Sequence, residues 1–361
     1  MNKAACLILG LAGASIGAGA QAQSNVTIYG IADAAIVGES GGSAGHQTKV
    51  TSGAGSASRI GFRGSEDLGN GTSVFFTLET GAKIDSGELD ASNTIFNRQA
   101  LVGLKTKAGS VALGRQYTPY HQALVEVVDP FRTGYAGTSK NLMPDNGTNV
   151  RTSNTVTYAS PQAYGFNLDL AYSAGEQSDI SAGRQYGGSI GYTAGPLALR
   201  LVYNAKNTDV AASGTSPDIS HDIGKNALFG GNVDFKWIKL HFGYEVDKGY
   251  NSATLGNANN PYGGVRPTPS TDGRDVLLGF TAPLGTGTLM FSAMHKDDRT
   301  AFNQDASSWG LGYLYPLSKR TGLYAAYAHI DNKNGAGYTV ANNTESGTGN
   351  TGYNLGIRHT F

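Results

Sequence analysis

Charged side chains, rather than a nucleophile or a metal-binding motif, are the groups whose pattern in this sequence could do chemistry. The segment 41–45 formally matches the Gly-x-Ser-x-Gly pattern of a nucleophile elbow, but no helical pattern follows it. The seven histidines show no His-Glu-x-x-His spacing. Residues 331–335 match a calcium loop only in part, because Lys333 stands at a ligand position. We therefore expect no catalytic residue, no cofactor and no bound metal.

The elements that carry these charges are segments in which apolar and polar residues alternate. Within residues 238–247 the even-numbered residues, Ile238 to Val246, are apolar, and the odd-numbered ones, Lys239 to Asp247, are polar or glycine. A two-residue period predicts β-strands. Segments of about ten residues can cross a bilayer at a tilt, whereas strands of soluble proteins average about five or six. Aromatic residues also gather at the ends of the apolar faces, as in membrane barrels. A soluble β-sandwich is the alternative.

Sixteen strands are predicted, an even number as bacterial membrane barrels require. They lie near 25–37, 56–66, 73–82, 95–106, 109–117, 151–160, 164–173, 185–193, 196–206, 227–236, 238–247, 273–282, 287–296, 307–315, 321–330 and 351–361. Short turns alternate with long polar stretches, predicted as external loops, at 38–55, 118–150, 207–226, 248–272 and 331–350. The predicted fold is all-β: a transmembrane antiparallel β-barrel of about 16 strands, wide enough for an aqueous channel.

The first 22 residues have the pattern of a secretory signal peptide. Lys3 precedes a small and apolar stretch, and Ala20-Gln21-Ala22 forms a cleavage site, so we expect residues 23–361 to form the barrel. Four glycines and a serine dilute the stretch, which argues against a membrane anchor. Cys6, the only cysteine, lies inside it. Without Lys3 the chain has 26 basic and 27 acidic residues, a net charge of about −1 that gives no support for nucleic-acid binding.

Several segments resemble the general porin family of Neisseria, Burkholderia and their relatives. Residues 58–69 (SRIGFRGSEDLG) are similar to that family's second strand and first turn. Further similar segments are 26–30 (VTIYG), 96–100 (FNRQA), 113–117 (LGRQY) and 355–361 (LGIRHTF), so the resemblance spans the mature chain. It implies an integral protein of the Gram-negative outer membrane, a water-filled channel for passive diffusion of small hydrophilic solutes and ions. It further implies a homotrimer in which each subunit holds its own pore.

The last strand carries a predicted assembly signal. Phe361 is preceded at two-residue steps by His359, Ile357, Leu355 and Tyr353, which resembles the signal that the barrel assembly machinery of the outer membrane recognises. His359 departs from an apolar step, and the simpler interpretation is an alternating strand that closes against the first. The expected partners are this machinery, outer-membrane lipids and lipopolysaccharide, and the permeating solutes.

Strand parity identifies the residues predicted to face the lumen. Ile60 and Phe62 are assigned to lipid, which turns Arg59 and Arg63 inward. An arginine facing lipid at the midplane would cost about 2–4 kcal/mol, so an inward set is favoured.

The same parity argument assigns three further charged residues to the lumen. Arg98 shares a face with Ala100, Arg151 follows the inward positions of its strand, and Glu79 lies opposite the apolar positions of its own. The resemblance implies an arginine ladder opposite an infolded third loop, and Arg59, Arg98 and Arg151 are most similar to its positions. For a single arginine, a rim charge or a salt bridge remains the alternative, and the direction of Arg115 is left open.

The predicted third loop, residues 118–150, supplies the opposing charge. The resemblance implies that it folds into the barrel, and its apolar residues suit a segment packed against the inner wall. Glu126 and Asp129 are then expected to face the arginines and to create a transverse field. Three arginines against two carboxylates predict a weak anion preference. The alternative is an external loop with scattered charge.

Two other functions stay open at this stage. One is an outer-membrane enzyme on a smaller barrel, whose catalytic residues should be visible but are not. The other is a substrate-specific channel, or an adhesin that uses the barrel as a stalk for its loops. Sequence alone does not separate a general channel from a specific one, because solute choice depends on side-chain geometry across the lumen.

Overall fold

A computed structural model describes residues 25–177, 181–212, 214, 216–253 and 267–361, and the predicted signal peptide lies outside them. These residues form seventeen antiparallel strands in one sheet. The strands are β1 (Asn25–Gly42), β2 (Gly45–Ser52), β3 (Arg59–Gly69), β4 (Thr72–Gly81), β5 (Gln99–Thr106), β6 (Gly109–Tyr117), β7 (Arg151–Ala159), β8 (Phe166–Ser173), β9 (Gln185–Ala194), β10 (Leu197–Lys206), β11 (Gly224–Asp234), β12 (Lys239–Ala253), β13 (Ser270–Leu284), β14 (Gly287–Asp298), β15 (Ala306–Pro316), β16 (Thr321–Asn332) and β17 (Thr351–Thr360).

Helical structure in the described residues is confined to one connection. It comprises α1 (Pro119–Ala123), a π-helical turn (Leu124–Val128) and two 3₁₀ turns (Ser139–Asn141 and Gly147–Asn149), all between β6 and β7. Among the residues that the structure describes, none of the helices has the length and apolarity to cross a membrane.

Pairing between β1 and β17 closes the sheet into a barrel. The register runs from Ile31 opposite Thr360 to Ser40 opposite Thr351. On its other edge β1 pairs with β3 through its first residues and with β2 through its last. β2 and β3 therefore share one place in the wall, and the seventeen strands occupy sixteen positions. The predicted sixteen-stranded antiparallel barrel is confirmed.

Large apolar side chains of the strands cover the outside of this barrel. Val26 and Ile28 of β1 are about 60% exposed, and Leu355, Ile357 and Phe361 at the chain end are about half exposed. Alternate residues on the same strands point inward, and this inward set includes buried polar residues such as Asp33 as well as small apolar ones such as Ala35 and Val37. Two apolar faces packed against each other would have buried these side chains. The geometry therefore excludes the soluble sandwich.

Two of the predicted external loops are wrong in part. Residues 38–42 and 45–52 of the predicted loop 38–55 belong to β1 and β2, and residues 53–58, here called the inward bend, turn into the lumen before β3 begins. The many glycines of this region hid the β-branched alternation of Thr48 and Val50. The predicted external loop 331–350 instead folds inward from residue 333 onward (loop 8, residues 333–350), and Ala336 and Val340 are buried. The strands that border 207–226 and 248–272 also run further than predicted.

The third predicted loop (loop 3, residues 118–150) lies inside the barrel, where its backbone and side chains pack against glycines of the wall strands. A Cβ added at Gly230 or Gly243, which are paired across β11 and β12, would lie 2.7 or 2.8 Å from a methyl carbon of Val128. A Cβ added at Gly310 would lie 2.4 Å from the Cα of Gly137. The backbone of loop 3 can approach the wall this closely only because these positions lack a side chain.

We expect the Gly310→Val substitution to push loop 3 away from the wall. Overpacking of this kind costs about 1–3 kcal/mol, which is enough to displace a loop while the barrel itself still folds. Single-channel conductance in planar bilayers should fall. Gly322→Ala is the control, because its Cβ would come no closer than 3.3 Å to a neighbouring atom. Wild-type conductance in the Gly310 variant would contradict the seating of the loop on this glycine.

Candidate pore constriction

Loop 3, the inward bend and loop 8 narrow the lumen to a cavity of about 550 Å³. Its lining residues come from β1, β3, β6, β7, β14, β15 and β17, from Arg98 immediately before β5, and from these three segments. The basic lining residues are Arg59, Arg98, Arg132, Lys140, Arg151 and Arg358. Glu126 is the one acidic residue among the described residues that line it. The charge that faces this opening is therefore strongly positive.

Arg98 and Arg59 share one carboxylate behind the opening. The Nε atom of Arg98 lies 2.8 Å from Oε1 of Glu79, and Nη1 of Arg59 lies 3.7 Å from the same oxygen. The hydroxyl of Tyr29 donates to the other oxygen of Glu79 at 3.1 Å. Glu79 lies inside the barrel and is almost completely covered by these partners. One carboxylate thus holds two guanidinium groups, and their combined charge remains positive.

Tyr117 organises the arginines at the start of loop 3. Its hydroxyl accepts a hydrogen bond from Nη2 of Arg98 at 2.5 Å, and the guanidinium carbon of Arg151 lies 5.1 Å from its ring centre. His121 stacks on the same ring at 5.0 Å and contacts Asp145 through Nδ1 at 2.8 Å. Burial lowers the pKa of His121 in spite of the Asp145 carboxylate, so the imidazole is neutral near pH 7 and adds no charge to the opening.

Arg63 and Arg115 lie outside the cavity that the other arginines line. Arg63 has the inward parity predicted for it, but it is four residues further along β3 than Arg59, where its guanidinium lies 5.0 Å from the ring centre of Tyr29. Arg115 sits at a register irregularity between β6 and β7, which is why simple alternation left its direction open. It donates to the carbonyl of Asn97 at 2.6 Å and lines a second cavity next to loop 8.

Of the two carboxylates predicted on loop 3, only Glu126 faces the opening. Its side chain is more than half exposed, and its Oε2 atom lies 3.9 Å from Arg200. Asp129 is placed differently from the prediction, since it is buried and its carboxylate accepts the backbone N–H groups of Phe131, Thr133 and Ser139, each at 2.8 Å. An aspartate at the start of a turn commonly bonds to the backbone that follows it, and this local role competed with the predicted lumenal one.

Asn343 of loop 8 ties the three inward segments together. Its backbone N–H donates to the carbonyl of Ala54, and its side-chain oxygen accepts the N–H of Ala57, both in the inward bend. Its side-chain NH₂ donates to Thr133, and its carbonyl accepts from Nζ of Lys140, both in loop 3. The width of the opening is therefore set jointly by segments that are far apart in the sequence.

Three basic lining residues were not predicted from the sequence. Arg358 lies on β17 with inward parity, between outward Ile357 and His359, so strand alternation could have identified it. Arg132 and Lys140 belong to irregular parts of loop 3, where no periodicity indicates the direction of a side chain.

We expect Asp129→Ala to loosen loop 3 without unfolding the barrel. Each hydrogen bond to a buried charged group contributes about 1.5–3 kcal/mol, and three backbone groups lose their acceptor at once. Amide hydrogen exchange should become faster between residues 131 and 139 while the strands keep their protection. In Glu126→Ala, where the exposed carboxylate bonds to no backbone group of the loop, exchange should not change. Equal exchange in the two variants would contradict the role assigned to Asp129.

Comparison with known proteins gives the same family throughout. The profile of the family described as Gram-negative porin matches residues 5–335. Outer membrane porin protein 32 of Delftia acidovorans is 32% identical over 376 residues, which cover 98% of this chain and 99% of that protein. An outer membrane porin protein of Bordetella pertussis is 29% identical over 400 residues, covering 99% of this chain and 98% of that protein.

Solved structures agree with these relatives. The anion-selective porin from Comamonas acidovorans superposes with a TM-score of 0.75 at 27% identity, covering 94% of this chain and all of that one. Salmonella typhi OmpF shares the fold at 16% identity, with a TM-score of 0.69 and coverage of 93% and 97%. With a closed barrel, apolar outside and charged within, the chain belongs to the Gram-negative porin family and forms a channel as an integral β-barrel of the outer membrane.

Proposed function

We propose that the channel passes small hydrophilic solutes by passive diffusion, with a weak preference for anions that is set at the arginine-lined opening. The observation that carries this proposal is the charge of the cavity lining, six basic residues against one acidic residue. The Comamonas acidovorans porin of the same fold is described as anion-selective, which supports the same sign.

The arrangement of these charges supports selection by field rather than by tight binding. Arg59 and Arg151 are the first residues of β3 and β7, Arg98 immediately precedes β5, and Glu126 belongs to loop 3. Charges lining a narrow passage with low-dielectric walls produce a stronger field than they would in bulk water, which raises the local concentration of ions of opposite sign. Because Glu79 neutralises part of the wall charge, the preference is weak rather than strict.

No bond is made or broken in this proposal. The serine of the Gly-x-Ser-x-Gly segment stands at the tip of the hairpin between β1 and β2. A strand, not the helix that a nucleophile elbow requires, follows it. This placement argues against an enzyme of the lipase type on the same barrel.

Assembly and export complete the proposal. We infer that residues 1–22 direct export and are removed, and that the mature chain forms a homotrimer in contact with outer-membrane lipids and lipopolysaccharide. Phe361 supports recognition by the assembly machinery: its side chain is about half exposed on the lipid side, while its backbone exchanges two 3.1 Å hydrogen bonds with Gly30. Its ring is therefore accessible while its backbone contributes to the barrel seam.

We expect the triple substitution of Arg59, Arg98 and Arg151 by serine to move the channel toward cations. Removing three positive charges from the lining leaves Glu79 without its guanidinium partners and makes the charge of Glu126 a larger share of the lining charge, so the ratio of anion to cation permeability should fall below that of the wild type. Reversal potentials across planar bilayers in a salt gradient measure this ratio. Arg63→Ser is the matched control, since it removes an inward arginine outside the cavity and should change the ratio little. An unchanged ratio in the triple variant would remove these arginines from the selective region.

Substitution of Glu79 by glutamine should change selectivity in the opposite direction. The loss of one negative charge leaves Arg59 and Arg98 uncompensated, so the reversal potential should shift toward stronger anion preference and the shift should shrink at high salt. Glu39→Gln is the control, because Glu39 is equally buried but pairs with Lys49 and Thr348, away from the cavity. A shift toward cations in the Glu79 variant would contradict the proposed charge balance.

A further inference from the structure

Three carboxylates are buried together on the inner wall, outside the lining of the charged cavity. Glu245 and Asp247 belong to β12, and Asp275 belongs to β13; these three residues are here called the acidic cluster. Glu245 stands directly opposite Asp275 in the strand register, and none of the three is more than 1% exposed. One carboxylate oxygen from each lies within 4.8 Å of the others. Like charges placed opposite each other on neighbouring strands repel, so this arrangement needs a compensating charge.

The described protein supplies only part of that compensation. Lys296 of β14 lies 2.6 Å from Asp275 and 3.2 Å from Asp247, and it is the one cation that the described residues pair with the cluster. Lys206 is nearby, but its Nζ contacts Asn149 instead. When all three carboxylates are ionised, this single ammonium leaves two of their negative charges unpaired. Uncompensated buried charge costs several kcal/mol per ion.

A second observation points to the same deficit. The Oε2 atom of Glu245 accepts a hydrogen bond from Tyr120 of loop 3 at 2.8 Å. The Oε1 atom of the same carboxylate is fully buried and has no hydrogen-bond partner among the described residues. Buried carboxylate oxygens almost always have a donor or a cation, so an oxygen without either on a carboxylate of the acidic cluster indicates a missing donor or cation.

We propose that the acidic cluster binds one calcium ion through one carboxylate oxygen from each of Glu245, Asp247 and Asp275. A divalent ion neutralises the two remaining charges, which a monovalent ion does not. Calcium binds carboxylate oxygens at about 2.3–2.6 Å, so ligands on opposite sides of it stand about 5 Å apart, whereas magnesium at about 2.1 Å would draw them to about 4 Å. The three oxygens lie within 4.8 Å of one another, a spread that a calcium ion can bridge.

The position of this site gives it a structural role. The cluster lies behind loop 3, and it contacts that loop through the hydrogen bond from Tyr120, a completely buried residue of α1, to Glu245. An ion held by the carboxylate of Glu245 fixes the group that anchors the beginning of loop 3. The inference does not rest on the proposed anion preference, because the cluster lines no part of the charged cavity.

Calcium binding to the full-length mature porin tests the proposal. The protein is refolded from denaturant without lipopolysaccharide, with and without calcium, because the site is too deeply buried for rapid loading of the folded barrel. Equilibrium dialysis with radioactive calcium should find about one tightly held ion per chain in protein refolded with calcium. Glu245→Gln should weaken this binding about tenfold or more, the scale on which altered metal environments act, and Asp275→Asn should do the same.

Asp331→Asn is the matched control. It removes an exposed carboxylate from the segment that partly matches a calcium loop, and its calcium binding should equal that of the wild type. Wild-type porin that refolds into an intact barrel and holds no calcium would overturn the proposal, as would equal binding by the wild type and a folded Glu245 or Asp275 variant. The wild-type measurement decides the question even if a cluster variant fails to fold. Neither overturning result bears on the reversal potentials that test anion preference.

Discussion

Closure of the sheet between β1 and β17 is the constraint on which the rest of this molecule depends. In the hydrocarbon core of a membrane no water is available to pair with backbone N–H and C=O groups, so a spanning sheet is stable only when it has no free edge. The seam from Ile31 to Ser40 removes that edge. Once the ring is closed, strand alternation divides the side chains into an outer set that contacts lipid and an inner set that can be charged.

Charged and polar side chains of the inner set that become buried then need hydrogen-bond partners or opposite charges. Loop 3 packs apolar side chains against the lumen wall and covers carboxylates that would otherwise contact water. Glycines such as Gly243 and Gly310 allow this close approach, and Asp129 gives the loop its own internal hydrogen bonds. The charged opening occupies the part of the lumen that the loop leaves uncovered. Anchoring and selectivity are thus assigned to different faces of the same loop.

Strand parity accounts for most of what could be predicted from the sequence. Arg59 and Glu79 lie on regular strands, where one lipid-facing neighbour is enough to assign their direction, and the predicted barrel followed from the same period. Prediction failed where the period is interrupted. The inward bend looks like an ordinary glycine-rich loop in the sequence, because the hydrogen bonds that hold it come from the distant residue Asn343. Asp129 looks like any other loop carboxylate, because its partners are backbone N–H groups of its own turn.

The acidic cluster shows a further limit of reasoning from alternation. Parity places Glu245 inside the barrel, yet only the register between β12 and β13 brings it opposite Asp275. Register depends on the pairing of whole strands, so the sequence of one strand does not show which residue lies opposite which. For Arg358, strand parity alone predicts that the side chain points inward. Its proximity to the arginines of β3 and β7 could not be predicted in this way, because it depends on the closure of the barrel.

The hydrogen bonds of Asn343 connect the outer end of the barrel to the segments that set the width of the opening. Loop 8 leaves β16 and returns to β17 at the end of the barrel that carries the long connections, the end that meets whatever approaches the cell from outside. The same loop holds both the inward bend and loop 3 through hydrogen bonds of Asn343. A substitution in loop 8 that moves Asn343 would therefore move both segments that border the opening. A change of sequence at this outer end can therefore alter the width of the opening deep inside the barrel.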